Sequence, residues 1–103
     1  TGQVTYAVRN TVIDDKEIHE GDIMGIGDHG ILAVSQSIEE TVIETLAAMI
    51  DEECELVSIY YGSDVEEADA EAVLEKAQET WPQLELELQS GGQPIYYYLL
   101  SAE

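Results

Sequence analysis

Between Gln3 and Arg9 the chain alternates Val4, Tyr6 and Val8 with Thr5 and Ala7, the period of two that sends successive side chains to opposite faces of a strand. Val12-Ile13 and Glu17-Ile18 flank Asp14-Asp15, which predicts a tight hairpin with Asp15 accommodating the turn conformation. Glu20-Gly21-Asp22 turns the chain again. Ile23 to Ile26 and Ile31 to Val34 then bracket Gly27-Asp28-His29-Gly30, a second hairpin with glycine at both ends of its loop. The first third therefore reads as a small antiparallel meander.

Beyond Gln36 the period lengthens. Ser37 stands three residues before Glu40, the spacing of a capping box in which each side chain bonds the other's free backbone N–H. Ile38, Val42, Ile43, Leu46, Met49 and Ile50 follow as one apolar stripe, so a helix is predicted to stop near Asp51. Leu56 to Tyr61 is almost continuous in β-formers, the mark of a central strand covered on both faces. A second helix is predicted from Asp64 or Glu66 to about Trp81, burying Val73, Leu74, Ala77 and Trp81, with Pro82 ending it. Leu84, Leu86 and Leu88 alternate with Glu85 and Glu87 in a strand with one wet face. Ser90 to Pro94 turns, and Ile95 to Leu100 is the last strand. The expected order is three or four short strands followed by α-β-α-β-β. It gives a mixed α/β (α+β) sheet with an N-terminal meander, a βαβ unit, an antiparallel closing strand and two packed helices.

Composition bounds what this fold can do. The 103 residues suit one domain, and 45% apolar residues are enough for a real core. No apolar run is long enough to span a membrane, and no secretory leader is visible. The chain begins at Thr1 rather than Met, which is taken as the mark of an excised piece. Twenty-three acids against three bases, Arg9, Lys16 and Lys76, give a net charge of −20. Such a field repels nucleic acid and anionic membrane, and draws in basic protein surfaces.

Candidate chemistry is sparse. Gly25-Ile26-Gly27-Asp28-His29-Gly30 has the spacing GxGxxG, but it carries no lysine and leads into a strand, so a nucleotide site is not expected there; no GxxxxGK[ST] cradle and no GxSxG nucleophile motif occurs. Cys54, the one cysteine, sits among Glu52, Glu53 and Glu55, which oppose thiolate formation; packing is its expected role, and an unpaired thiol fits the cytoplasm. Asp28-His29 is the best metal candidate, yet with two histidines in the whole chain a zinc set is incomplete. No catalytic residue and no metal ligand is assigned. Gly62-Ser63-Asp64, between a strand and a helix, is a position where α/β sheets often bind ligands. Tyr60, Tyr61, Tyr96, Tyr97 and Tyr98 divide between core and surface and offer contact area.

Gly21-Asp22-Ile23-Met24-Gly25-Ile26, then Tyr60-Tyr61-Gly62, and above all Gly91-Gly92-Gln93-Pro94-Ile95-Tyr96 with a terminal Glu103, resemble the C-terminus of FakA-type fatty acid kinase proteins, whose family is dihydroxyacetone-kinase-like. The likeness spans residues 1–103 but only the last fifth or so of such a protein. It implies a multidomain cytoplasmic parent whose first domain binds ATP and magnesium and whose central domain carries the catalytic residues. Its C-terminal region consists of two subdomains related in fold to a DegV-type fatty-acid-binding carrier, which they receive in a negative groove. This chain resembles the second subdomain, with no cofactor of its own and the preceding subdomain as a neighbour. It departs from the family pattern at Asp15, where glycine is common, and at Glu66, where a serine often caps the helix and where Asp64 is left as the better cap.

Charge and resemblance together predict a non-catalytic docking domain for the basic face of the carrier. The expected contacts are Asp14, Asp15, Glu17, Asp22 and Asp28 of the hairpins with Glu39 and Glu40 of the first helix. Two alternatives stand beside it: a small-ligand or metal-dependent enzyme using Asp28 and His29, and a structural, self-associating domain.

Overall fold

The computed structural model describes residues 1–13 and 15–103. Ten elements follow in chain order: β1 (Gly2–Tyr6), β2 (Thr11–Ile13), β3 (Lys16–Ile18), β4 (Ile23–Gly27), β5 (Gly30–Ser35), α1 (Ile38–Met49), β6 (Leu56–Tyr61), α2 (Glu67–Thr80), β7 (Glu85–Ser90) and β8 (Tyr98–Ala102). Six strands form one sheet in the order β5-β4-β1-β8-β6-β7, in which only β6 and β7 run parallel to each other as neighbours. The mixed α+β class, the β6-α2-β7 unit and the antiparallel closing strand follow the sequence pattern. β8 does not lie beside β7, however; it crosses to fill the gap between β6 and β1.

The meander is also reorganised. β1 pairs with β4, not with β2, and β2 and β3 stand apart as a two-stranded ribbon. Three bonds close the ribbon's base: Ala7 N–H to the Asp22 carbonyl at 2.8 Å, Gly21 N–H to the Ala7 carbonyl at 2.9 Å, and Glu20 N–H to Asn10 Oδ1 at 2.8 Å. The ribbon is thus an excursion between two strands that pair as if it were absent. Asp15 lies in its turn at φ 65°, a left-handed conformation that aspartate tolerates.

Both helices pack on one face of the sheet. Val4, Ala33, Val57, Ile59, Tyr98 and Leu100 point to them from the strands and meet Val42 and Leu46 of α1 and Ala70, Val73 and Ala77 of α2. β6 is therefore helix-covered on one side only. On the other, Ser58 is bonded to Glu87 at 3.4 Å, and Leu56 and Tyr60 are half-buried. Its unbroken run of β-formers reflects an interior place in the sheet.

Ser37 caps α1 by accepting from Glu40 N–H at 3.3 Å, but the box is half made. The Ser37 N–H donates to Ser35 Oγ at 3.1 Å, so Glu40 has nothing to satisfy in return. Thr41 and Thr45, outside the predicted stripe, are fully buried. Thr41 Oγ1 donates to the Ser37 carbonyl at 2.8 Å and Thr45 Oγ1 to the Thr41 carbonyl at 2.6 Å, which makes both hydroxyls compatible with a dry interface. At α2, Glu66 rather than Asp64 occupies the cap position, and no side chain bonds the free N–H groups there. Among the described residues no helix is long and apolar enough to cross a membrane.

Candidate functional site

β1 and β6 are both antiparallel to β8, and β7 is parallel to β6, so these three strands all end at one edge of the sheet. Four segments collect there. The ribbon leaves from Tyr6, α1 begins just after Ser35 (paired with Ile23), residues 62–66 lead into α2, and residues 91–97 connect β7 to β8. The opposite edge holds the Asp28-His29 turn, the end of α1, and Glu55, whose N–H bonds the Glu103 carbonyl at 2.7 Å.

Between the first turns of α1 and α2 lies a cavity of ≈ 220 Å³ lined by Ile38, Glu39, Asp64, Val65, Asp69, Ala72, Val73 and Tyr98. Three carboxylates thus stand round an apolar floor. Glu39 has one cationic neighbour, Lys76, with Nζ 3.9 Å from Oε1. Acids can gather here because the N-terminal end of each helix carries a positive dipole end, and Glu39, Glu40, Glu67 and Asp69 occupy those first turns.

Tyr98 registers this environment. Its ring is buried, and burial first, then the charges of Asp69 and Glu39, push its pKa up to about 12 from an ordinary 10. The folded form holds the phenolic proton more tightly than the unfolded chain. Its contribution to stability is therefore complete below pH 10 and is lost as pH rises from 10 toward 12. Spectrophotometric titration is expected to show a late tyrosine step toward pH 12, coincident with alkaline unfolding. Tyr98→Phe should delete that last step, and a titration unchanged by Tyr98→Phe would contradict this assignment.

The 91–97 loop is stitched to the end of β6. The Gln93 carbonyl accepts from Ser63 N–H at 2.9 Å and from Ser63 Oγ at 3.3 Å, and Gln93 Nε2 donates to the carbonyls of Tyr60 and Tyr96 at 3.2 and 3.3 Å. Gly62 N–H reaches the Tyr97 carbonyl at 2.8 Å. The GGQP run is thereby a local scaffold. Its strain shows at Ile95, a β-branched residue held at φ 72°, and it delays the final strand to Tyr98 instead of the predicted Ile95.

The predicted contact residues do not form one patch. Asp14 lies outside the described residues. Asp15 and Glu17 are exposed on the ribbon, at the same edge as Glu39 and Glu40. Asp22 is there too, but its carboxylate is only 14% exposed and accepts from His19 N–H at 2.9 Å, so it serves the turn. Asp28 is at the far end of β4, six residues of extended chain or roughly 20 Å from Asp22. It lies 3.4 Å from the backbone nitrogen of Thr1, with His29 beside it on the exposed turn. Among the described residues no three His, Cys, Asp or Glu side chains are gathered as a metal set. Of the residues lining the cavity, Asp64 belongs to the strand-to-helix connection and Tyr98 to the tyrosine run that the sequence reading names, while Asp69 is a site residue it does not single out. The crowding of acids at the start of α2 is the available signal, outweighed in the sequence by the turn-rich hairpins.

Residues 1–103 match the family model for the C-terminal region of FakA-like fatty acid kinase proteins. The chain is 40% identical over its whole length to protein YloV of Bacillus subtilis, covering 19% of that protein. It is 37% identical to uncharacterized proteins of Staphylococcus haemolyticus and Staphylococcus aureus, again over all of this chain and 19% of theirs. It therefore spans about a fifth of the length of these relatives.

Proposed function

The chain belongs to the FakA-like C-terminal family of fatty acid kinase proteins, and from that premise we propose that it is a non-catalytic domain docking the basic face of a DegV-type fatty-acid-binding carrier. Docking would present the bound fatty acid to a phosphoryl-transfer site elsewhere in a longer parent, where ATP and magnesium would be held. The observation that carries this reading is the charge of the helix layer. Glu39, Glu40 and Glu44 of α1, with Asp64, Glu66, Glu67, Asp69, Glu71, Glu75 and Glu79 of α2 and its approach, stand against a single base, Lys76. The cavity between the two helix starts makes part of that surface concave. Of the contacts expected from sequence, Glu39 and Glu40 belong to this surface, and the ribbon acids flank it.

Each exposed ion pair contributes only about 0–1 kcal/mol, so many must act together, and their main effect is on the rate of encounter. Surface plasmon resonance with the carrier should show association slowing about tenfold or more between roughly 0.05 and 0.5 M salt, as the screening length shrinks below the width of the patch. Glu39→Gln/Asp64→Asn/Asp69→Asn should slow association several-fold with little change in melting temperature, since the repulsion it relieves offsets the helix-dipole attraction and the exposed Glu39–Lys76 pair that it removes. Binding indifferent to both salt and these substitutions would refute docking led by charge.

A further inference from the structure

The hollow between the two helix starts has a chemistry narrower than charge alone. Glu39, Asp64 and Asp69 stand round it, and an ionised carboxylate can only accept hydrogen bonds. Its floor is apolar, made by Ile38, Val65, Ala72 and Val73. Tyr98 closes it from the sheet. That residue is 1% exposed, yet its hydroxyl makes no hydrogen bond among the described residues. After burial, what hinders its ionisation is the charge of Asp69 and then of Glu39, so the hydroxyl is turned toward acids that line the hollow. A buried phenol normally finds a partner; this one is left to bond whatever enters. The chain's own bases do not answer it. Lys76 approaches Glu39 at 3.9 Å but is not part of the lining, and Asp64 and Asp69 have no ion pair among the described residues.

We propose that this hollow is a socket for one arginine side chain on the basic face of the docked partner, its aliphatic stem on the apolar floor and its guanidinium among the three carboxylates and the Tyr98 hydroxyl. The inference rests on the docking reading above and deepens it from a field to a contact. A bare metal ion does not fit. Among the described residues the carboxylates are not gathered as a ligand set, and a hard cation gains nothing from an apolar floor. The occupant must reach acceptors that stand apart while also burying carbon. Guanidinium offers five N–H donors in a fixed plane and keeps its charge when desolvated, whereas a lysine ammonium is a compact point charge with three donors. A second copy of this chain is the wrong source, because it offers Arg9 alone and brings a net charge of −20 toward an equal charge. The exposed helix acids then speed the encounter, and the enclosed, hydrogen-bonded arginine slows escape.

The test takes two readouts on the 103-residue chain. In the first, N-acetyl-arginine amide is titrated in while backbone amide shifts are followed, with the lysine and citrulline amides as controls. The arginine probe should move the amides of Glu39, Val65, Asp69 and Val73 in a saturable way. Citrulline, of similar shape but uncharged, should leave them in place, and lysine should bind about threefold or more weakly. Ala72→Leu fills the hollow from an exposed helical position with a strong helix former and changes no charge, so it should abolish the shifts at an unaltered melting temperature. In the second, the fatty-acid-loaded carrier should leave Ala72→Leu about tenfold faster and Tyr98→Phe several-fold faster, while association and its salt dependence stay put. Tyr98→Phe removes one unpartnered oxygen, so it should not lower the melting temperature, and its faster dissociation reports the contact and not the fold. Carrier dissociation within about twofold of wild type in both variants, or equal shifts with the arginine and citrulline probes, would overturn the socket and leave charge-led docking intact. Equal affinity for the arginine and lysine probes would overturn the assignment to arginine. Failure of the wild-type chain to bind the carrier while the arginine probe still seats would overturn the docking reading, and the partner named here with it.

Discussion

Gly25→Ala is expected to lower the stability of the domain by about 3 kcal/mol, the upper range for one methyl forced into a packed interior. A Cβ built on Gly25 overlaps Thr45 Oγ1 and presses on the rest of that side chain. Thr45 cannot swing aside cheaply. It is fully buried, and its hydroxyl is committed to the Thr41 carbonyl at 2.6 Å, so rotation would orphan a polar group at a further cost of about 1–3 kcal/mol. The alternative is for α1 to lift from β4, which would loosen Val42 and Leu46 as well. Thermal melting followed by circular dichroism should show a drop of about 10–20 °C for a domain of this size. Thr45→Ala in the same background removes the overlapping atoms and should restore most of the loss. A Gly25→Ala protein melting within about 2 °C of wild type would mean that the helix does not sit this close to the sheet.

That contact also marks where the sequence stops being legible. Period identifies α1, and Ser37 places its start, because both signals are local to a few residues. The buried pair Thr41 and Thr45 escapes prediction, because their polarity hides the fact that a helix can satisfy its own hydroxyls at i−4. The small residue that receives them, Gly25, is far away in sequence and reads simply as part of a hairpin strand. Strand pairing is similarly out of reach. Nothing in Val4 to Tyr6 says that its partners are β4 and β8 instead of the adjacent β2, since the bonds closing the ribbon's base join residues about ten or more positions apart. The left-handed position at Asp15 is readable, as turn chemistry is carried by single residues.

For the candidate site the charge is legible and its location is not. Sequence shows that acids crowd the chain, but whether Asp22 and Asp28 share a patch depends on which end of β4 each occupies, and they occupy opposite ends. Glu39 can be placed at a helix start from its distance to Ser37. Its nearness to Asp69 and Tyr98 requires the two helices to begin at the same edge, a consequence of β5 and β6 running where they do. The GGQP and YYG segments carry a family likeness in the sequence; their physical content is that one holds the other.

Gly62→Ala tests that content directly. Gly62 does not need a left-handed backbone; it needs space. A Cβ there overlaps the Tyr96 carbonyl oxygen and comes within 2.8 Å of the Gln93 carbonyl oxygen, both backbone atoms that cannot rotate out of the way. The 91–97 loop must therefore move as a body. Its departure breaks the bonds from Gly62 N–H to Tyr97 and from Ser63 N–H to Gln93, at 2.8 and 2.9 Å, and frees the loop at the start of β8. The expected cost is about 3 kcal/mol, concentrated at this edge, which corresponds to roughly a hundredfold loss of hydrogen-exchange protection at Gly62 and Ser63 where opening is local. Amides of β4 and β5, on the far side of the sheet, should keep more of theirs. Undiminished protection at Gly62 and Ser63 would show that the loop tolerates the methyl and that the glycine before α2 is not what holds GGQP in place.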